Sequence, residues 1–134
     1  KIGPGKILFC NSGAEANEGM LKLARLFGNH EEDNKKQGIV VAENGFHGRT
    51  LGALSATASK KYRKGFEPLL PEFSFAPLND LDAFEKAINH KTAAVLVESI
   101  QGEGGIYEAD DHFLQKLSEL CSQRGVMFSS GRAY

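Results

Sequence analysis

Surplus charge of either sign is missing from this 134-residue sequence, in which 16 basic and 17 acidic side chains leave a formal net charge of -1. Without a basic excess there is no electrostatic pull toward nucleic acid or an anionic membrane, and neither is expected as a partner. Cysteine is scarce as well. Cys10 and Cys121 stand far apart and form no C-x-x-C pair, which argues against a zinc or dithiol motif and leaves both expected as reduced thiols in the core. The four histidines, His30, His47, His90 and His112, have no ligand spacing with Cys, Asp or Glu, so no metal is expected. No apolar run approaches the roughly 20 residues that cross a bilayer, and no internal repeat or low-complexity tract is present. The start, Lys1-Ile2-Gly3-Pro4-Gly5, has neither an initiator Met nor the features of a signal or transit peptide, and a longer gene product is the expectation.

What remains is an ordinary folded-domain composition, 41% hydrophobic and 25% charged, at the length of about one domain. Ile7-Leu8-Phe9 reads as a buried strand. Asn11 and Ser12 are helix-capping types, Gly13 permits a sharp bend, and Ala14 to Phe27 runs without proline, with Ala16, Met20, Leu23, Ala24 and Phe27 on the face expected to meet the core. Gly28-Asn29 is the expected stop, and His30 to Lys36 a solvated loop. Ile39 to Ala42 and Ala93 to Val97 are continuous apolar runs, the pattern of strands covered on both faces. A short helix is expected over Leu51 to Ala58, a wet basic cluster at Lys60 to Lys64, and a strand around Phe73 and Phe75. Asn79 or Asp80 would cap a helix burying Leu81, Phe84 and Ile88. Asp110 or Asp111 would cap another with a Leu114, Leu117, Leu120 and Cys121 stripe, ended by Gly125, and Val126 to Phe128 would start one more strand. Strands alternating with helices predict an α/β fold with a mainly parallel sheet and flanking helices. In such sheets ligands gather beyond the carboxyl ends of the strands, where the loops after Phe9, Ala42 and Val97 would open.

Those three loops carry the distinctive chemistry. A helix beginning at Ser12-Gly13-Ala14 aims unpaired amides and a positive dipole end at one place, which suits a phosphate. Asn44-Gly45-Phe46-His47-Gly48-Arg49-Thr50 combines an aromatic, an imidazole and a guanidinium, types that suit a flat ring and a carboxylate held close together. Read alone, a phenylalanine such as Phe46 is more often a core residue and an arginine such as Arg49 more often a surface ion-pair partner, and His47 is as readily structural as a pocket residue. The third loop, Val97 to Gly105, sets Glu98, Gln101 and Glu103 among three glycines; an exposed turn is the plain reading, since burying two acids without a cation is costly.

Taken together, S-G-A-E-A-N-E, F-H-G-R-T-L-G-A-L-S and V-E-S-I-Q-G-E-G-G resemble, in order and spacing, the motifs of the class III aminotransferases, a family of pyridoxal-phosphate (PLP) enzymes. The resemblance implies an incomplete part of the large domain of a fold-type I PLP-dependent transferase: residues 1–128 a partial PLP-binding large domain, and residues 129–134 a divergent or truncated tail. It implies cofactor contacts at Ser12, Gly13, Ala14, Phe46, His47 and Glu98. It also implies a substrate-carboxylate clamp at Arg49 and, at Glu103, a gate carboxylate that pairs with an arginine. Ser99 stands where the family has proline. Within the family the motifs are most similar to acetylornithine aminotransferases, with ornithine and 4-aminobutyrate enzymes as alternatives. The implied reaction passes an amino group from N-acetylornithine, or a related omega-amino acid, to 2-oxoglutarate, in a homodimer of the cytoplasm or, in a eukaryote, the mitochondrial matrix.

Two of the family's chemical groups have no match. Transamination needs a lysine for the Schiff base and an acid on the pyridine nitrogen. Gly131 stands at roughly the position of that acid, and none of Lys60, Lys61, Lys64, Lys86 or Lys116 has the lysine's surroundings. The chain by itself is therefore expected to be inactive. Two other readings are a non-catalytic phosphate- or nucleotide-binding α/β module, although no G-x-G-x-x-G or P-loop pattern is present, and a truncated remnant that associates with a full-length subunit.

Overall fold

The computed structural model describes residues 4–30 and 35–131. Lys1-Ile2-Gly3, residues 31–34 of the expected polar loop and the tail residues Arg132-Ala133-Tyr134 lie outside the described residues.

A four-stranded sheet organises the molecule. Its strands are β1 (Gly38–Ala42), β2 (Phe73–Ala76), β3 (Thr92–Glu98) and a last strand, Met127–Gly131, here called β6. They run parallel in the order β2-β1-β3-β6. Between β3 and β6 a two-stranded antiparallel ribbon joins β4 (Ile100–Gln101) to β5 (Tyr107–Glu108). The helices are α1 (Gly13–Gly28), α2 (Leu51–Ala56), the single turn α3 (Lys60–Arg63), α4 (Leu81–Ala87) and α5 (Asp111–Gln123).

Side chains alternate across a strand, so each apolar run feeds two cores at once. Val40, Ala42, Val95 and Val97 face Phe84 of α4, Ile88 just after it, and Phe113, Leu117 and Cys121 of α5. Ile39, Val41, Ala94 and Leu96 face Leu21 and Ala24 of α1 and Ala56 of α2. All seven residues of β3 are buried, as a strand covered on both faces requires. Each fully buried Leu, Ile or Phe in these layers contributes roughly 1.5–3 kcal/mol, so the sandwich is driven by the sheet's two faces together.

Local chemistry sets the ends of the helices. Ser12 is extended and its hydroxyl accepts from the Glu15 amide, while Asp80, of the two candidate caps, accepts from the Ala83 amide at 2.9 Å. Asn79 instead turns the chain at φ 65°. Gly125, at φ 59°, follows the end of α5. No helix among the described residues is long and apolar enough to cross a membrane.

Four expectations are corrected. Ile7-Leu8-Phe9 is not a strand and lies 73%, 79% and 90% exposed, because neither edge of the described sheet pairs with it. An apolar run without a neighbour has no ladder to join. In α1 the buried stripe is Leu21, Ala24 and Gly28, while Ala16, Leu23 and Phe27 are exposed. The helix is apolar on two sides, and the side with Gly28 wins because that glycine lets the backbone close in: an added Cβ would stand 2.0 Å from the Lys36 carbonyl oxygen and 2.9 Å from Ala93. Cys10 is exposed, whereas Cys121 is buried, with burial pushing its thiol up to about 11. In α5, Phe113 joins the buried stripe, and Leu114 and Leu120 are only partly buried. The strand expected to start at Val126 to Phe128 runs on as β6, with Ser129, Ser130 and Gly131 laddered to Leu96, Val97 and Glu98, since backbone pairing makes no demand on the side chain.

Candidate functional site

A cavity of about 460 Å³ opens at the carboxyl edge of the sheet, between the start of α1, the loop after β1 and the ends of β3 and β6. Its wall includes Gly13, Ala14, Asn17, Phe46, His47, Arg49, Glu98 and Gly131. Six of the eight residues expected from the sequence, Gly13, Ala14, Phe46, His47, Arg49 and Glu98, thus meet in one place.

The α1 corner is built from its own cap. The Ser12 hydroxyl takes the Glu15 amide at 3.2 Å, and the Glu15 carboxylate returns to the Asn11 amide at 2.7 Å, so both side chains are spent on the turn. Ser12 does not line the cavity. Gly13 and Ala14 do, and as the first two residues of the helix their amides have no intrahelical acceptor. An anion there would gain hydrogen bonds and the dipole field together.

The loop after β1 folds over this corner. Asn44 and Gly48 have φ of 61° and 130°, and Gly48 packs so close to α1 that an added Cβ would lie 2.8 Å from that of Ala14. The Phe46 amide donates to Glu98 Oε2 at 3.1 Å. The Phe46 ring meets Tyr62 of α3 edge-on, with centroids 5.4 Å apart, and the Arg49 guanidinium lies over the Tyr62 ring at 4.4 Å. Arg49 forms no salt bridge among the described residues, so the aromatic face holds it while its donors stay available for a carboxylate.

Beneath the ring wall sit two buried, unsatisfied atoms. His47 Nε2 and Glu98 Oε1 have no hydrogen-bond partner among the described residues, although their residues are only 4% and 2% exposed. Burial lowers the His47 imidazole from 6.5 to about 4. Burial also raises the Glu98 carboxyl from 4.5 to about 7, against the opposing pull of the Phe46 amide. Native structures seldom strand such groups unless something else satisfies them. Gly45 makes the close approach possible, since a Cβ there would stand 2.9 Å from His47 Nε2 and 3.1 Å from Glu98 Oε2. At Gly131 an added Cβ would meet nothing within 4 Å, so that wall is bare.

Glu103 is apart from this group. It is exposed between β4 and β5, does not line the cavity and makes no ion pair among the described residues. Gln101, in the same loop, is buried and donates from Nε2 to the Glu43 carbonyl at 2.7 Å, tying the third loop to the second. Sequence reading gave no role to Asn17, Glu18, Tyr62 or Gln101, nor to Thr57, whose hydroxyl oxygen accepts from the His47 amide at 3.1 Å. Asn17 and Glu18 lie inside the first motif, and their polarity on the α1 stripe that leads to Leu21 was the available signal. Tyr62, within a basic cluster, gave none. No group of three or more His, Cys, Asp or Glu among the described residues could hold a metal.

The arrangement therefore offers an anion seat, an aromatic wall, two unpartnered polar atoms and a guanidinium around one cavity. The model of the family described as aminotransferase class-III matches residues 1–129. Among curated proteins, the chain is 47% identical over 124 residues to the acetylornithine aminotransferase of Caldanaerobacter subterraneus, covering 92% of this chain and 32% of that protein. It is 49% identical over 123 residues to the acetylornithine aminotransferase of Aquifex aeolicus, with the same coverage of 92% and 32%. The chain thus spans about a third of the length of the curated relatives it matches. Among solved structures it superposes on the ornithine aminotransferase of Toxoplasma gondii, crystallised with oxidised glutathione and described as having partial PLP occupancy at the active site. That likeness has a TM-score of 0.84 at 31% identity and covers 90% of this chain and 29% of the other.

Proposed function

Since the chain belongs to the class III aminotransferases, we propose that its cavity holds the phosphate and ring of PLP. In the longer enzyme this segment would serve transfer of an amino group from N-acetylornithine, or a related omega-amino acid, to 2-oxoglutarate. The observation that carries the cofactor reading is the stranded pair, His47 Nε2 and Glu98 Oε1, beside free amides at the start of α1. A flat, anionic, nitrogen-bearing ring answers all of these at once.

Bound PLP supplies an electron sink for bond changes next to the substrate's nitrogen. The chain's own residues do the rest. The amides of Gly13 and Ala14 hold the phosphate, and Phe46 walls the ring. Glu98, its carboxyl raised to about 7, exists near neutral pH as a mixture of acid and carboxylate and can give or take a hydrogen bond at Oε1. His47 stays neutral and offers Nε2 as acceptor or donor according to tautomer. Arg49, seated on Tyr62, takes the substrate carboxylate through its planar fork. The names of the relatives at 47% and 49% identity support acetylornithine as donor. For the full-length parent, a second copy of the same subunit is the proposed partner by family resemblance.

No lysine lines the cavity among the described residues, and the 134-residue chain is proposed to bind PLP without turning over. Titrating the purified chain with PLP, ATP and NAD, followed by an assay for glutamate with acetylornithine and 2-oxoglutarate, tests both halves. PLP should bind in preference to the nucleotides and no glutamate should form. Equal or better nucleotide binding would favour a general phosphate-binding module; turnover would refute the inactivity of the chain.

A further inference from the structure

α1 carries more than the anion seat. Ala14, Asn17, Glu18, Leu21, Ala24 and Gly28 fall on one stripe at helical spacing. Its lower part is buried under the sheet and its first turn faces the cavity. Between them, Asn17 and Glu18 are polar where the stripe could have been apolar, and both reach across to the loop that bears Phe46 and Arg49. Asn17 Nδ2 donates to the His47 carbonyl at 2.7 Å. Glu18 Oε1 accepts from the Thr50 hydroxyl and from the Ala53 amide, the latter at 3.1 Å.

The second contact is unusual in its origin. Thr50 occupies the N-cap position of α2, yet its side chain makes no cap hydrogen bond. The Ala53 amide, which a capping threonine would ordinarily satisfy, is satisfied instead by a carboxylate from another helix. Gly52 leaves the room for it, since an added Cβ would stand 2.4 Å from Glu18 Oε2. Gly48 serves the same approach higher up, against Ala14.

We infer that Glu18, with Asn17, is a positioning pair that fixes the Phe46–Arg49 loop relative to the amides of Gly13 and Ala14, by capping α2 from α1. The inference rests on the cofactor reading above only for its ligand, since the clamp itself is a property of the empty fold. One rigid helix sets the distance between phosphate seat and ring wall: the seat is its first turn and the clamp its second. A ligand that uses the seat alone is indifferent to the clamp. A ligand that needs seat and loop together feels its loss.

Two probes separate these cases, inorganic phosphate for the seat and PLP for seat plus loop, with the 134-residue chain as wild type, Glu18→Ala, Glu18→Gln and Thr50→Val. Glu18→Ala should weaken PLP about tenfold, the scale of one charge-assisted hydrogen bond, and leave phosphate affinity within about twofold. Glu18→Gln, whose amide oxygen still accepts from Thr50 and Ala53, should recover most of the loss. Thr50→Val, which removes one donor and keeps the shape, should fall between. Hydrogen exchange adds a ligand-free readout: in Glu18→Ala the amides of Ala53 and of residues 46–50 should exchange faster, with those of β3 unchanged. Equal weakening of both probes, or no recovery in Glu18→Gln, would mean that α1 was merely damaged and would overturn the inference. Unchanged exchange at Ala53 would overturn it as well. If wild type shows no preference for PLP over phosphate, the cofactor reading fails, and exchange at Ala53 and residues 46–50 alone decides the clamp.

Discussion

At the scale of single residues the buried pair His47 and Glu98 sets the pH behaviour. Glu98 has a folded-state pKa of about 7, above its ordinary 4.5, so its carboxylate is disfavoured by folding. The penalty is absent below about 4.5 and complete above 7. His47 is the mirror case, lowered to about 4 from 6.5, so stability is full above 6.5 and is lost as pH falls toward 4. Between 4.5 and 6.5 the unfolded chain carries charged His and charged Glu while the folded chain carries both neutral. The proton count is then the same in both states, and the pair makes stability flat across that window. Glu98→Gln removes one arm. Relative to wild type its urea midpoint should rise steadily from pH 4.5 to pH 7; a constant difference would show that Glu98 titrates normally in the fold. These two residues, with Phe46 and Arg49, were legible in the sequence because the motif places them together. Tyr62, Asn17, Glu18 and Gln101 were not, since each acts on a partner that only the folded sheet brings close: Asn17 to His47 spans 30 positions and Gln101 to Glu43 spans 58.

Among the elements, α1 shows where periodicity stops being informative. Its apolar residues cover two sides, and the sequence has no means of ranking them; the decision falls to Gly28, whose missing side chain lets the helix close on Lys36 and Ala93. A paired substitution tests this. Alanine for glycine inside a helix is worth up to about 1 kcal/mol in favour of the helix. At Gly19, where an added Cβ meets only Leu8 Cδ2 at 3.8 Å, that gain should appear as raised stability. At Gly28 the clash is with backbone, and overpacking of roughly 1–3 kcal/mol should outweigh the propensity and lower stability. Urea unfolding of Gly19→Ala and Gly28→Ala should therefore move in opposite directions; movement in the same direction would mean that propensity alone governs α1. The strands were easier to read. β1 and β3 are covered on both faces and show continuous apolar runs, whereas Ile7-Leu8-Phe9 has the same letters and lacks a neighbouring strand, which composition cannot reveal.

Across the whole molecule, apolar surface is distributed unevenly. Leu23, Leu26 and Leu8 are exposed around a second cavity of about 890 Å³, with Met20, Met127 and Phe128 completing its apolar wall, and Ile7, Phe9 and Phe27 are exposed as well. A patch of this kind drives association. Sedimentation should show concentration-dependent self-association of the chain, reduced in Leu23→Lys and Leu26→Glu; a monomer at every concentration would show that the patch is inert. Cys10 belongs to the wall of the same cavity and is open to solvent, while Cys121 is sealed between α5 and the sheet with its thiol held up near 11. A thiol-directed tag therefore has one target on the native chain and two on the denatured one. Labels counted per molecule report the folded fraction directly, with no chromophore and no bound ligand required.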